Sequence, residues 1–212
     1  MNLNESNSGL GLVIIVSGPS GSGKTSVCNA VRKELGNLQF SVSCTTRSPR
    51  INEIHGKDYY FISREEFDRR TANNEFIEHA EVYGNFYGTL KSELMNKIKA
   101  GHDILLDIDV QGALQIKKYS QNDKEIAGCL ELIFIAPPNF AELEKRLRSR
   151  QTDAEAAILK RLQTAKSELV LWKEYDYILV NRDINETVRE MKNVIETLHK
   201  KTKHLEHLNF DV

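Results

Sequence analysis

Residues Gly18-Pro19-Ser20-Gly21-Ser22-Gly23-Lys24-Thr25 place three glycines, a lysine and a hydroxyl in the spacing G-x-x-x-x-G-K-T, directly after an apolar run at 12–16. Glycines let a backbone curl closely around an anion, so that successive N–H groups and the N-terminus of a following helix converge on phosphate oxygens. Lys24 would then reach the β- and γ-phosphates of a nucleoside triphosphate. Thr25, followed by Ser26, would set its hydroxyl on a magnesium ion bridging those phosphates. The competing explanation is an ordinary Gly/Ser-rich turn, which the agreement of pattern and flanks disfavours.

Such a loop works only when a rigid frame holds it. Runs at 12–16, 104–108, 130–136 and 177–180 are almost continuously apolar, as in parallel strands buried on both faces. Between them, 25–35, 110–119, 140–150 and 185–200 carry apolar residues at three-to-four spacing. The fold class is therefore α/β, a parallel sheet flanked by helices. Two stretches depart from that rhythm. Residues 43–99 hold Arg47, Arg50, paired tyrosines and a turn-rich Tyr83–Gly88 segment, and read as an inserted mixed α/β substrate-binding subdomain. Residues 143–161 gather Lys145, Arg146, Arg148, Arg150, Lys160 and Arg161, and read as a helical lid over phosphate rather than a merely solvated face.

Composition bounds the rest. At 212 residues and 40% hydrophobic content the chain is long enough for one domain with a sizeable core. With 29 basic and 30 acidic side chains the net charge is −1, so no global field favours a nucleic acid. No stretch reaches the roughly 20 apolar residues of a membrane span. The polar start at 1–8 lacks the apolar centre of a signal peptide, so the cytoplasm is the expected location and no membrane partner is expected. Cys28, Cys44 and Cys129 lack paired spacing and read as reduced, mostly buried residues; His204 and His207 are assigned no role.

Several segments, taken in order, carry a resemblance. They are Ser41–Arg50 with Thr45-Thr46-Arg47-Ser48-Pro49-Arg50, Gly56-Lys57-Asp58-Tyr59, Asn74-Glu75-Phe76-Ile77-Glu78, Asn85-Phe86-Tyr87-Gly88-Thr89, Leu106–Gly112, Phe134–Pro138 and Arg146-Leu147-x-x-Arg150. Over about 11–200 the chain resembles the guanylate kinases. The resemblance implies a P-loop NTPase core (about 10–42, 100–142 and 173–200), a GMP-binding subdomain (about 43–99) and a lid (about 143–172). It also implies ATP-dependent phosphorylation of GMP, with dGMP as an alternative acceptor and Mg2+ as cofactor; a homo-oligomer is among the assemblies the sequence allows.

On the same resemblance, Gly18 to Ser26 and Asn181 hold ATP, with Asn181 approaching adenine. Arg47, Arg50, Tyr59 and Tyr87 hold the GMP phosphate, and guanidinium forks and phenols suit phosphate oxygens. Glu78 and Asp109 face guanine N1–H and the 2-amino group, with the hydroxyls of Ser43 and Thr89 near the ring. Adenine lacks those donors, so AMP would leave buried carboxylates unpaired, a loss of about 1–3 kcal/mol per group. Asp107, at the end of an apolar run, would orient magnesium through water or hold Thr25. Lys24, Arg47, Arg146, Arg150, Arg161 and Asp107 form the catalytic set. Departures from the family pattern are Thr89 where serine is frequent, Gln151 where glycine commonly follows, and Arg182 where an acidic residue is common. A scaffold module that holds a phosphopeptide and a kinase for another nucleoside monophosphate are the competing readings. The intact P-loop argues against the first, and the pair Glu78 and Asp109 decides the second.

Overall fold

A computed structural model describes residues 10–82, 84–149 and 155–204. Five parallel strands form the central sheet. In spatial order they are β2 (Gln39–Phe40), β7 (Ile104–Asp107), β1 (Val13–Ser17), β8 (Leu130–Ala136) and β9 (Tyr177–Val180). All five residues of β1 are buried, because helices cover both faces. Ile14 and Val16 pack with Val27 and Val31 of α1 (Lys24–Glu34) and Met191 and Ile195 of α8 (Ile184–Leu198). The alternate residues Val13 and Ile15 pack with Leu94 and Ile98 of α3 (Lys91–Lys99), Ala113 and Ile116 of α4 (Val110–Ser120) and Ile126 of α5 (Lys124–Cys129). Strand period two thus sends alternate residues into two cores.

The four apolar runs appear as strands and the helical runs as α1, α4, α6 (Phe140–Arg148) and α8, within a residue or two. Strand β2 is the exception: two half-buried residues at a sheet edge leave no pattern to read. The cationic stretch is divided between α6 and α7 (Glu155–Leu169). Cys28, Cys44 and Cys129 are free thiols and buried.

A second sheet stands over one end of the first. Its order is β4 (Tyr60–Phe61), β3 (Cys44–Thr45), β6 (Asn85–Leu90) and β5 (Phe76–Val82). The pair β3–β4 is parallel and the others antiparallel. Cys44, Phe67 and Phe76 form its own small core, with Phe67 supplied by α2 (Arg64–Ala72).

Candidate functional site

Strands β1 and β7 are neighbours whose chains leave their carboxyl ends toward opposite faces, β1 into α1 and β7 into α4. That divergence opens the crevice in which open α/β sheets bind ligands. A cleft of about 480 Å3 lies there, lined by Gly18, Ser20, Lys24 and Thr25, by Asp107 and Asp109, by Glu78 and Tyr87 of the second sheet, and by Ser43 and Tyr59, which immediately precede two of its strands.

On the P-loop side the backbone geometry is demanding. Gly18 and Gly23 have φ of 141° and 94°; a Cβ at Gly18 would sit 2.2 Å from Ile135 O, and one at Gly23 would sit 2.2 Å from Asn181 Nδ2. Only glycine adopts such angles freely and admits such neighbours. Lys24 Nζ donates to the carbonyls of Gly18 (2.5 Å) and Pro19 (3.2 Å), so the ammonium is folded over its own loop. Thr25 Oγ1 donates to Asp107 Oδ2 at 2.6 Å, the second of the two arrangements the sequence left open for Asp107.

Asn181 is buried and committed to the loop. Its Nδ2 donates to Ser22 O (2.7 Å), and its Oδ1 accepts from Thr187 Oγ1 (3.2 Å). Arg146 joins this brace, donating from Nη2 to Asn181 O (3.0 Å), from Nη1 to Ser22 O at the limit of bonding distance (3.5 Å), and from Nε to Glu142 (3.0 Å). Asn181 and Arg146 therefore grip the P-loop backbone, and Leu143 and Leu147 of α6 close against Gly21.

Opposite, β5 carries a register shift between Phe76, which faces Leu90, and Glu78, which faces Thr89. The irregularity buries three successive side chains: Phe76 enters the second sheet's core, Ile77 the central core, and Glu78 the cleft wall. Bulges re-aim side chains in this way beside functional sites. Glu78 Oε1 accepts from Thr89 Oγ1 at 2.6 Å, and Thr89 Oγ1 lies 3.3 Å from Ser43 Oγ. Burial pushes the Glu78 carboxyl up to about 7, against the opposing Thr89 hydrogen bond. Asp109 caps α4, accepting from Gly112 N at 2.8 Å, and burial raises its pKa too. A Cβ on Gly112 would lie 2.6 Å from Glu78 Oε2 and 3.3 Å from Asp109 Oδ1. That glycine is what lets the two acids approach.

Tyr59 and Tyr87 meet edge-on with ring centroids 6.0 Å apart, and burial raises the Tyr59 phenol, which keeps it a hydrogen-bond donor. The Arg47 guanidinium lies 5.5 Å from the Tyr59 ring. Arg50 is exposed, and its backbone N–H donates to Glu53. On the lid, Arg161 is half-buried on α7, while Arg150 and Gln151 lie outside the described residues. Arg148 is exposed and pairs with Glu144 and Glu155. Lys160, which the sequence placed in the cationic lid, lines the cleft from one face of α7; sequence reasoning missed Thr164 and Glu168 on the same face. Their four-residue spacing is the available signal, and it is indistinguishable from any helix face. Burial likewise pushes Glu168 up to about 7. Also missed was Glu53, bound to Arg47 through both carboxylate oxygens.

The family model described as guanylate kinase matches residues 11–198. A guanylate kinase of Thermotoga maritima is 45% identical over 187 residues, 88% of this chain and 87% of that protein. One from Fusobacterium nucleatum is 45% identical over 88% of this chain and 97% of that protein. Among solved structures, the guanylate kinase of Anaplasma phagocytophilum superposes with a TM-score of 0.73 at 38% identity, covering 92% of this chain and 90% of that one.

Proposed function

The chain belongs to the guanylate kinase family, and from that premise we propose that it moves the γ-phosphoryl group of ATP to GMP with the residues of the cleft in distinct roles. One observation carries the reading: a single cleft presents the P-loop lysine and threonine on one wall and a carboxylate–hydroxyl pocket on the other. The first suits a triphosphate and the second the N1–H and 2-amino donors of guanine.

The acceptor is already an anionic phosphate oxygen, so the reaction asks for positioning and charge stabilisation rather than a general base. Glu78 and Asp109 accept from the guanine edge, with Thr89 and Ser43 holding Glu78 in place. Arg47, Arg50, Tyr59 and Tyr87 seat the acceptor phosphate. Lys24 exchanges the carbonyls of Gly18 and Pro19 for the donor phosphates. The hydroxyl of Thr25 and the carboxylate of Asp107 are hard oxygen donors, a set that fits Mg2+ sharing its remaining sites with phosphate and water. When bound, the ion would neutralise charge on the β- and γ-phosphates. Arg146 and Asn181 keep the loop in shape, which leaves Asn181 next to the donor site as a brace rather than as a reader of adenine. Arg161 and Arg150 are assigned to the lid, covering the transferring group and excluding water.

The groups assigned to the acceptor address its base and phosphate, so dGMP is expected to serve beside GMP. Among the described residues no helix is long and apolar enough to cross a membrane. We place the reaction in the cytoplasm, where the three buried free thiols would stay reduced. The test is a coupled assay of ADP formation from MgATP with GMP, dGMP, AMP, UMP and CMP in parallel, and Lys24→Ala as the blank. GMP-dependent turnover that vanishes in the variant is expected. Equal turnover with AMP would overturn the assignment of Glu78 and Asp109.

A further inference from the structure

We propose that Glu53 is a positioning residue for the acceptor phosphate, fixing which N–H donors of Arg47 turn toward the cleft. This rests on the reading that Arg47 seats that phosphate. A guanidinium has five N–H donors in a rigid planar fork. In Arg47, Nη1 donates to Glu53 Oε2 (3.0 Å) and to Ser48 O (2.7 Å), and Nη2 donates to Glu53 Oε1 (2.9 Å). Those bonds occupy both hydrogens of Nη1 and one of Nη2, so Nε–H and the second Nη2 hydrogen remain on the adjoining edge, and the Tyr87 hydroxyl, itself assigned to the phosphate, is a hydrogen-bonding neighbour of the guanidinium. Two parallel donors on one edge are what a phosphate takes from an arginine in bidentate fashion.

Glu53 is itself held, since Oε2 also accepts the backbone N–H of Arg50 at 2.7 Å. One carboxylate thus ties the side chain of one phosphate-seating arginine to the backbone of the other. The Arg47 side chain is only 15% exposed and that of Glu53 20%, so the pair is partly shielded from water. The guanidinium also packs by the rings of Tyr59 (5.5 Å) and Phe61 (5.8 Å), which restrict its tilt while Glu53 sets its rotation in plane. The Arg47–Glu53 pair has no net charge. Arg47 therefore supplies direction to the acceptor phosphate, and the exposed Arg50 supplies the uncompensated positive charge.

A carboxylate beside a phosphate seat could instead compete with the ligand, and the two roles predict opposite signs. Glutamine at 53 keeps one acceptor but turns an NH2 group toward the guanidinium, so the bidentate clamp is lost. The experiment titrates GMP and guanosine into the nucleotide-free protein, its Glu53→Gln and Arg47→Ala variants, and the double variant. Positioning predicts that Glu53→Gln weakens GMP about 10- to 100-fold, the scale of one or two charge-assisted hydrogen bonds. It leaves guanosine, which has no phosphate, unchanged, and the double variant binds GMP no more weakly than Arg47→Ala alone. GMP binding that is unchanged or tighter in Glu53→Gln overturns the proposal, as does an equal loss for guanosine, which would make Glu53 a prop for the loop. A wild-type protein that binds GMP no better than guanosine would instead remove the premise that this site seats the phosphate.

Discussion

At the scale of single residues, Glu78 is a buried carboxyl held far from its ordinary titration range. An unfolded glutamate titrates at about 4.5, whereas burial pushes this one up to about 7, with the neighbouring Asp109 acting in the same direction. The fold therefore favours the neutral form. The stability associated with that proton is fully present below the unfolded value and is lost as pH rises through the window from about 4.5 to about 7. On the proposed assignment guanine asks for the opposite state, because its N1–H and 2-amino group need an acceptor-only carboxylate. Base binding should then strengthen as pH rises through about 7 and release a proton. Guanosine is the probe to use, since the phosphate of GMP has its own ionisation at about 6. Its affinity is expected to fall between pH 8 and 6, with proton release visible as a buffer-dependent calorimetric enthalpy. Glu168 is pushed up to about 7 in the same cleft. The control is Glu78→Gln, which should bind more weakly but with a flat pH profile. A sloping profile in that variant would pass the titration to Glu168 or Asp109.

At the scale of elements, the pocket proposed for the base is made where the β5 bulge meets the first turn of α4. The contact passes through Gly112, whose missing Cβ leaves room for Glu78 Oε2. Gly112→Ala should cost little in the helix itself, where alanine is favoured over glycine by about 1 kcal/mol. It should push a carboxylate anchored by Thr89 out of place. The expected result is a KM for GMP raised at least about tenfold, with the KM for ATP nearly unchanged and the melting temperature moved by only a few degrees. Comparable losses for both substrates would place the strain in the P-loop instead. The strands and helices that make this junction were legible in the sequence because long apolar runs and three-to-four periodicity survive translation into buried strands and helix faces. The bulge was not, since Phe76-Ile77-Glu78 reads as an ordinary strand until its three side chains enter three environments. Glu53 and the α7 residues Thr164 and Glu168 were equally silent, whereas Lys160 stood out only as part of a cationic run: a carboxylate in a polar loop and a polar helix face have solvated counterparts everywhere. The bracing of the P-loop by Asn181 and Arg146 depends on segments some 120 to 160 residues apart in sequence, a proximity only the closed sheet creates.

At the scale of the molecule, the walls of the cleft proposed for donor and acceptor belong to sheets with unequal cores. The central sheet is packed on both faces by two extensive clusters. The second sheet relies on Cys44, Phe67 and Phe76, with Tyr60, Ile62, Phe86 and Leu90 around them. Phe67 is the keystone of that small cluster: it stacks on Phe76 at 4.7 Å between centroids and meets Phe86 at 5.6 Å. Truncating a buried phenylalanine costs about 3–5 kcal/mol, a loss the central core could absorb but a cluster this size could not. Phe67→Ala is therefore expected to open the second sheet locally, as one of the low-stability units into which native proteins divide. Hydrogen exchange should show amides of β3, β5 and β6 losing protection while those of β1, β7 and β8 keep theirs. GMP binding should vanish while MgATP still binds and still raises the melting temperature of the remaining fold. A uniform loss of protection would instead make the two sheets one cooperative unit. Donor and acceptor sites would then be coupled through global stability, and closure over the substrates could not be driven by movement of the smaller sheet alone.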